Sequence, residues 1–242
     1  MNETNTITCT PNDTHSLSTH SIQSLKPLAF MMVHEIYGTD FIPLRALLGM
    51  EGNHKIPNTT AIFNMASAHK CPAKALGLCK AEKVGVKCYA IKSEVASRPY
   101  TQPYRERQMD LWSNTSAQEF ALQFILINAL RKPTHTFKAL RFNEAGDFHT
   151  QECVDKAEKI ARILKPYGVI CYCYTSRDDL DYHRVEALRI SGSGFKKEGI
   201  VNVFKIIDRK EDRPKGYGLC PMDCKICNRC MRAGLKTAVV KH

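Results

Sequence analysis

The chain has 242 residues, 43% of them hydrophobic, which is enough for a full core arranged as one domain with an appendage or as two small domains, one large domain being the simpler expectation. Eleven cysteines are well above ordinary usage yet far below the density of a small disulfide scaffold, so they ask for a local explanation. The net charge of +11 would suit a polyanionic partner, but Lys and Arg are scattered rather than massed in one arm, and metal-bound thiolates would lower the sum.

The first 25 residues, rich in Thr, Ser and Asn, read as a disordered tail with no positive start and no apolar run. Their composition predicts a cytoplasmic protein, and no apolar stretch reaches the roughly 20 residues a membrane span needs. "PLAFMMVHEIY" and "LRALLGM" then predict short helices, and residues 60–67, "TAIFNMAS", a strand. A Lys- and Gly-rich loop carries Cys71, Cys79 and Cys88, and a helical region broken near Pro99 and Pro103 runs on to Trp112.

Ser116 followed by Glu119 is a capping box, and the helix it opens is apolar nearly all round, which predicts deep burial. "FKALRFN" reads as a strand, and "TQECVDKAEKIARILKPYG" as a helix with Val154, Ala157, Ile160, Ala161 and Leu164 on one face. "VICYCYT" is again a strand. A short helix is expected around "LDYHRVEAL", then the strand "LRIS", the turn "GSG" and the strand "IVNVFKII". Strands alternating with helices predict an α/β fold with a parallel sheet, open or closed into a partial (β/α) barrel. The expected organisation is a tail (1–25), an α/β domain (26–215) and a C-terminal cysteine-rich, metal-binding segment (216–242) packed on the barrel.

In parallel α/β folds, reactive groups gather where strands end. Asn143, Glu144, Gly146 and Asp147 follow one strand, Tyr174, Ser176 and Arg177 lie at the end of the next, and the first cysteine loop follows a third. These positions form the candidate active site. The competing reading is that Asn143, Glu144 and Asp147 only cap a helix and hold a turn.

Near the C-terminus, "CPMDCKICNRC" places Cys220, Cys224, Cys227 and Cys230 within eleven residues. So close a run can wrap one 4Fe-4S cubane, whereas structural zinc usually takes two CxxC knuckles a dozen or more residues apart. Lys225, Arg229 and Arg232 would offset a cluster's negative charge. The looser set Cys71, Cys79 and Cys88 suits a cluster with one open iron; a structural zinc with His69 as fourth ligand is the competitor. Cys171 and Cys173 share one face of a strand and read as packing residues.

Taken together, "KIPNTTAIFNM", "CPAKALGLC", "CYA", "RFNEAGDF", "YTSR" and "CPMDCKICNRC" resemble the phage gene product 88 domain family, over the chain from Asn53 onward. That resemblance implies a viral or virus-derived origin and carries no assigned reaction. A more distant likeness is to radical S-adenosylmethionine enzymes, whose partial barrel has a three-cysteine cluster loop after the first strand. It implies a radical-SAM-like enzyme in which Glu144, with Asn143 and Gly146, holds S-adenosylmethionine and the C-terminal cysteines hold an auxiliary cluster. A reductant such as ferredoxin or flavodoxin would feed it. The chain departs from that pattern: CxxxCxxC is missing from the first loop and occurs at Cys220, Cys224 and Cys227, where Cys230 completes a full ligand set.

Two readings result. One is an iron-sulfur enzyme of unknown substrate, with Asn143, Glu144, Asp147, Tyr174 and Arg177 around the reacting groups. The other is a basic nucleic-acid-binding protein whose loops are fixed by zinc or clusters.

Overall fold

The computed structural model describes residues 22–39, 41–51, 55–83, 85, 88–97 and 100–241. The expected tail falls outside these residues up to residue 21. Its last part, Ile22–Leu25, is a 3-10 turn with Ile22 buried, and Gln23 donates to Thr136 Oγ1 at 2.8 Å.

Helices α1 (Lys26–Tyr37) and α2 (Pro43–Leu47) precede β1 (Thr60–Phe63), which stops four residues before the expected end. Pairing with the neighbouring strand ends there because Asn64 turns its side chain to the Ala145 amide at 2.8 Å and to Gln108. The first cysteine loop holds three single-turn helices, α3 (Pro72–Ala75), α4 (Lys80–Lys83) and α5 (Tyr89–Lys92), and a π-helical turn at Ser93–Ser97. In α6 (Thr101–Asn114) Pro103 sits in the first turn, where no intrahelical amide bond is lost. The N-cap half of the expected box forms at α7 (Ala117–Leu130): Ser116 Oγ accepts from the Glu119 amide at 3.1 Å, while the Glu119 carboxylate accepts from Gln123, and the helix is buried on most sides.

Then come β2 (Ala139–Phe142), α8 (Gln151–Leu164), β3 (Ile170–Thr175), β4 (Arg189–Ser193) and β5 (Asn202–Ile207). Helix α8 buries the five residues its periodicity singled out, and Glu158 as well. The helix expected around residues 180–188 is absent. Glu158 explains why: its carboxylate accepts from the Glu186, Ala187 and Leu188 amides at 2.8–3.2 Å and holds that backbone in turns. Two strands unforeseen in the sequence, β6 (Gly218–Leu219) and β7 (Lys236–Val240), complete the sheet.

All seven strands are parallel, in the order β1-β2-β3-β4-β5-β7-β6. The fold is therefore mixed α/β. One face of the sheet presents Ala61, Phe63, Leu140, Phe142, Cys171, Cys173 and Ile190 to the helices. Phe120 of α7 packs edge-on against Phe63 at 4.9 Å, and Trp112 of α6 meets Phe142 at 5.8 Å. Each such ring contributes about 2–3 kcal/mol by burial alone. Period-two alternation and the strand register send Arg141, Tyr172, Tyr174, Arg189, Ser191 and Asn202 to the opposite face.

Parallel neighbours need a crossover of a dozen or more residues, usually a helix. Between β6 and β7 that crossover is residues 220–235, the cysteine segment, whose only regular element is the 3-10 turn Arg229–Met231. It lies on the polar face: Arg189 donates to the Met231 carbonyl, and Asn202 donates to the Arg232 carbonyl at 2.7 Å. The Cys224 amide reaches the Lys55 carbonyl, just ahead of β1, at 2.9 Å. Among the described residues no helix is long and apolar enough to cross a membrane.

Candidate metal centre

Two groups of cysteines occupy different places. Cys71 and Cys79 lie in the loop beyond the C-terminal end of β1. Burial pushes the Cys71 thiol up to about 12, opposed by the Lys74 and Ala73 amides and reinforced by Asp147 and Cys79. Lys80, next to Cys79, pairs with Asp178 beyond β3 at 2.8 Å, which carries this loop across the strand ends. Cys88 packs with Ile91 around Ala68, Ala90 and Ala145.

The strand ends here are tied to one another. Asp147 is buried and accepts from the Phe148 amide, Thr175 Oγ1 and the Ser176 amide at 2.7–2.8 Å, strapping the end of β2 to the end of β3. Burial still pushes its carboxyl up to about 6, against these bonds and the nearby Arg177. Arg177 donates to the Phe148 and His149 carbonyls and pairs with Asp179 at 2.8 Å. Asn143 takes a left-handed backbone (φ 58°), which its short amide tolerates, and its Oδ1 accepts from the Met65 amide at 3.0 Å. Gly146 (φ 73°) runs so close to the β1 loop that a Cβ there would come within 2.8 Å of Ala66.

Glu144 lies 3.7 Å from Arg105, and its carbonyl accepts from the Tyr89 hydroxyl. Sequence reasoning passed over the group behind it. Glu94, whose side chain is 0% exposed, accepts from the Ala68 amide at 2.7 Å, pairs with Arg105 at 2.8 Å and contacts His69 Nδ1 at 2.6 Å. Burial alone would raise the Glu94 carboxyl, but these partners outweigh burial and lower it. The only trace in the sequence is a lone Glu in a helical stretch, unremarkable without its partners.

On the polar face of the sheet the arrangement differs. Cys220, Cys224, Cys227 and Cys230 are all partly buried, and the ten described cysteines are all free thiols. Burial raises Cys224, and the charges of Cys230, Cys220 and Cys227 raise it further, while Arg141 opposes them. Cys230 is raised by burial too, and there the Tyr174 hydroxyl, which donates to its Sγ, pulls the other way. Tyr174 is itself held well above the usual phenol range, chiefly by burial, so it is a neutral donor.

Arg141 lies among Tyr89, Tyr172, Tyr174 and Glu144, with its guanidinium 5.4 Å from the centre of the Tyr174 ring. Its Nε is buried with no hydrogen-bond partner. Of the cations expected to face the cysteines, Arg229 instead packs on Gly218, where a Cβ would collide with its guanidinium at 2.2 Å. Arg141, on a strand far away in sequence, was invisible to a search for neighbouring charges.

The structure thus brings Tyr174 to Cys230, and Asp147 to Cys71, and leaves Asn143, Asp147 and Arg177 engaged within the fold. Among the described residues, no three His, Cys, Asp or Glu side chains converge as a set that could hold a single metal ion. Four thiolates around one zinc would sit about 3.8 Å apart, given Zn–S bonds near 2.3 Å. A cubane needs a wider spread, because each thiolate binds a different iron. The donor set on the crossover is four thiols, a soft set whose chemistry suits an iron-sulfur cluster and which zinc also accepts.

No curated protein and no solved structure matches the chain. A family model, Gene product 88, matches residues 44–193, which span β1 to β4 and the first cysteine loop. The chain belongs to the gene product 88 family.

Proposed function

We propose that the protein is an iron-sulfur protein in which Cys220, Cys224, Cys227 and Cys230 hold a 4Fe-4S cluster against the polar face of the sheet. One observation carries this reading: the β6–β7 crossover, where a helix would ordinarily bury apolar residues, instead carries four free thiols and brings Cys224 and Cys230 to Arg141, Tyr172 and Tyr174. When bound, such a cluster supplies one-electron chemistry. The chain's own residues orient Cys230 through the Tyr174 hydroxyl and set a positive charge nearby.

The finer reading is a partial barrel with a radical-SAM-like active site. The unbroken strand order β1 to β5 and the bond from Cys224 to Lys55, which joins chain beyond β6 to chain ahead of β1, support a curved sheet. At the rim, the shared field of Cys71 and Cys79 supports a second site with Cys88, with an open iron for S-adenosylmethionine. Glu144 is the rim residue best placed to meet a ligand, being partly exposed beside Arg105. Asn143, Asp147 and Arg177 act in this reading by holding the strand ends.

The test is iron, zinc and acid-labile sulfide content of the anaerobically purified protein, with electron paramagnetic resonance after reduction. About four irons per chain, lost in Cys224→Ser and kept in Cys79→Ser, is the expected result for the C-terminal cluster alone. About eight, with a signal altered by S-adenosylmethionine, extends it to the rim. Stoichiometric zinc without sulfide overturns the proposal and leaves the metal-stabilised, nucleic-acid-binding alternative.

A further inference from the structure

The polar face of the sheet carries a half-buried cation, Arg141, whose Nε is fully enclosed and whose position neither the fold nor the helices require. Arg141 sits in the middle of β2, flanked across the register by Tyr172 of β3. Burying a guanidinium is costly unless its charge and its N–H groups are matched. Glu144 and the phenols of Tyr89, Tyr172 and Tyr174 surround it, yet the Arg141 Nε finds no partner. Its charge also reaches Cys224 and Cys230. Tyr174 links the same two partners: its ring lies against the guanidinium, and its hydroxyl donates to Cys230 Sγ.

We infer that Arg141 and Tyr174 set the reduction potential of the four-cysteine centre, Arg141 as a fixed counter-charge and Tyr174 as a hydrogen-bond donor to the Cys230 sulfur. The inference rests on the iron-sulfur reading of these cysteines. On reduction one electron enters the centre from an electron-donor protein or, in the test, from dithionite, and no bond is broken. The centre gains one unit of negative charge. A fixed positive charge and an O–H···S bond both favour the more negative state, so both raise the potential. Neither residue is a ligand of the centre, and Tyr174, expected from the sequence beside the reacting groups, instead meets a cysteine sulfur.

The experiment is a dithionite titration with redox mediators, followed by electron paramagnetic resonance, on wild type, Arg141→Gln, Arg141→Lys and Tyr174→Phe, after iron and sulfide have been measured in each. Arg141→Gln should shift the reduction equilibrium at least tenfold against the reduced state, 59 mV for a single electron. Tyr174→Phe should shift it the same way by less, and Arg141→Lys should remain near wild type. Unchanged potentials in Arg141→Gln and Tyr174→Phe, with full iron and sulfide, overturn the inference while leaving the iron-sulfur reading intact. A wild type without iron and sulfide overturns both. If Arg141→Gln loses its iron, the other two variants decide: a lowered potential in Tyr174→Phe with a wild-type potential in Arg141→Lys supports the inference, and no shift in Tyr174→Phe overturns it.

Discussion

The strand-end rim and the polar sheet face each bring buried charge close to cysteines, but they treat that charge in opposite ways. At the rim, Glu94 faces Arg105, His69 and a backbone amide, and Asp147 takes three hydrogen bonds from the ends of β2 and β3. On the polar face, Arg141 has a buried Nε without a partner and thiols within reach of its charge. Conspicuous polar residues at strand ends are thus mostly consumed in building the rim. The less conspicuous face, covered by an irregular crossover, keeps one enclosed N–H donor without a partner near the cysteines, and such a donor points to a ligand.

The sharpest way to break this contrast is to remove compensation at the rim. Arg105→Met leaves Glu94 buried beside only His69 and amide donors, and should cost about 3–5 kcal/mol in urea unfolding. Because the Glu94 carboxyl is lowered in the folded protein, its contribution is present above the ordinary carboxylate range and lost as pH falls. The defect in Arg105→Met should therefore shrink in acid, once Glu94 is protonated. Iron content measured on the surviving folded protein should be unchanged if the two regions are independent.

Asp147→Ala comes next. It strands three donors, and at about 1 kcal/mol for each bond the loss is about 3 kcal/mol. The sign of its pH dependence is opposite to that of Glu94. With its carboxyl raised to about 6, the folded state holds a proton that the unfolded chain releases near 4. Its contribution is full below the unfolded value and declines as pH rises through about 6. The stability gap between wild type and Asp147→Ala should accordingly be widest in acid, which urea titrations at several pH values would show. A gap that widens with rising pH would mean the hydrogen bonds outweigh burial.

Much of the helical layer was legible in the sequence because its signals are local. The Ser116 N-cap and the 3.6-residue stripe of α8 need no distant partner to be read, and both form. The strands β6 and β7 were not legible: Gly218–Leu219 is too short to show periodicity, and Lys236–Val240 follows a segment whose cysteines dominate any reading. The helix expected at residues 180–188 failed for a related reason, since Glu158, on another element, claims its amides. At the site, cysteine spacing located the four thiols, but Arg141 lies some eighty positions earlier in the chain, and only the register of a parallel sheet brings it beneath them.

Gly146→Ala gives the smallest and most local test of the contrast. The residue has φ 73°, where an L side chain is strained, and a new Cβ would meet the Ala66 Cβ and carbonyl at 2.8 Å. The left-handed backbone alone costs about 1–2 kcal/mol, and the clash adds to it only as far as the β1 loop cannot yield. That loop carries Cys71 and Cys79, whereas the four C-terminal cysteines rest on the sheet's polar face and on the strands β3 to β5. The substitution should lower the melting temperature by a few degrees. It should also displace any metal bound at Cys71, Cys79 and Cys88 while sparing metal bound at Cys220, Cys224, Cys227 and Cys230. Equal loss of metal from both groups would mean that rim and polar face are one mechanical unit, and the contrast between them would no longer hold.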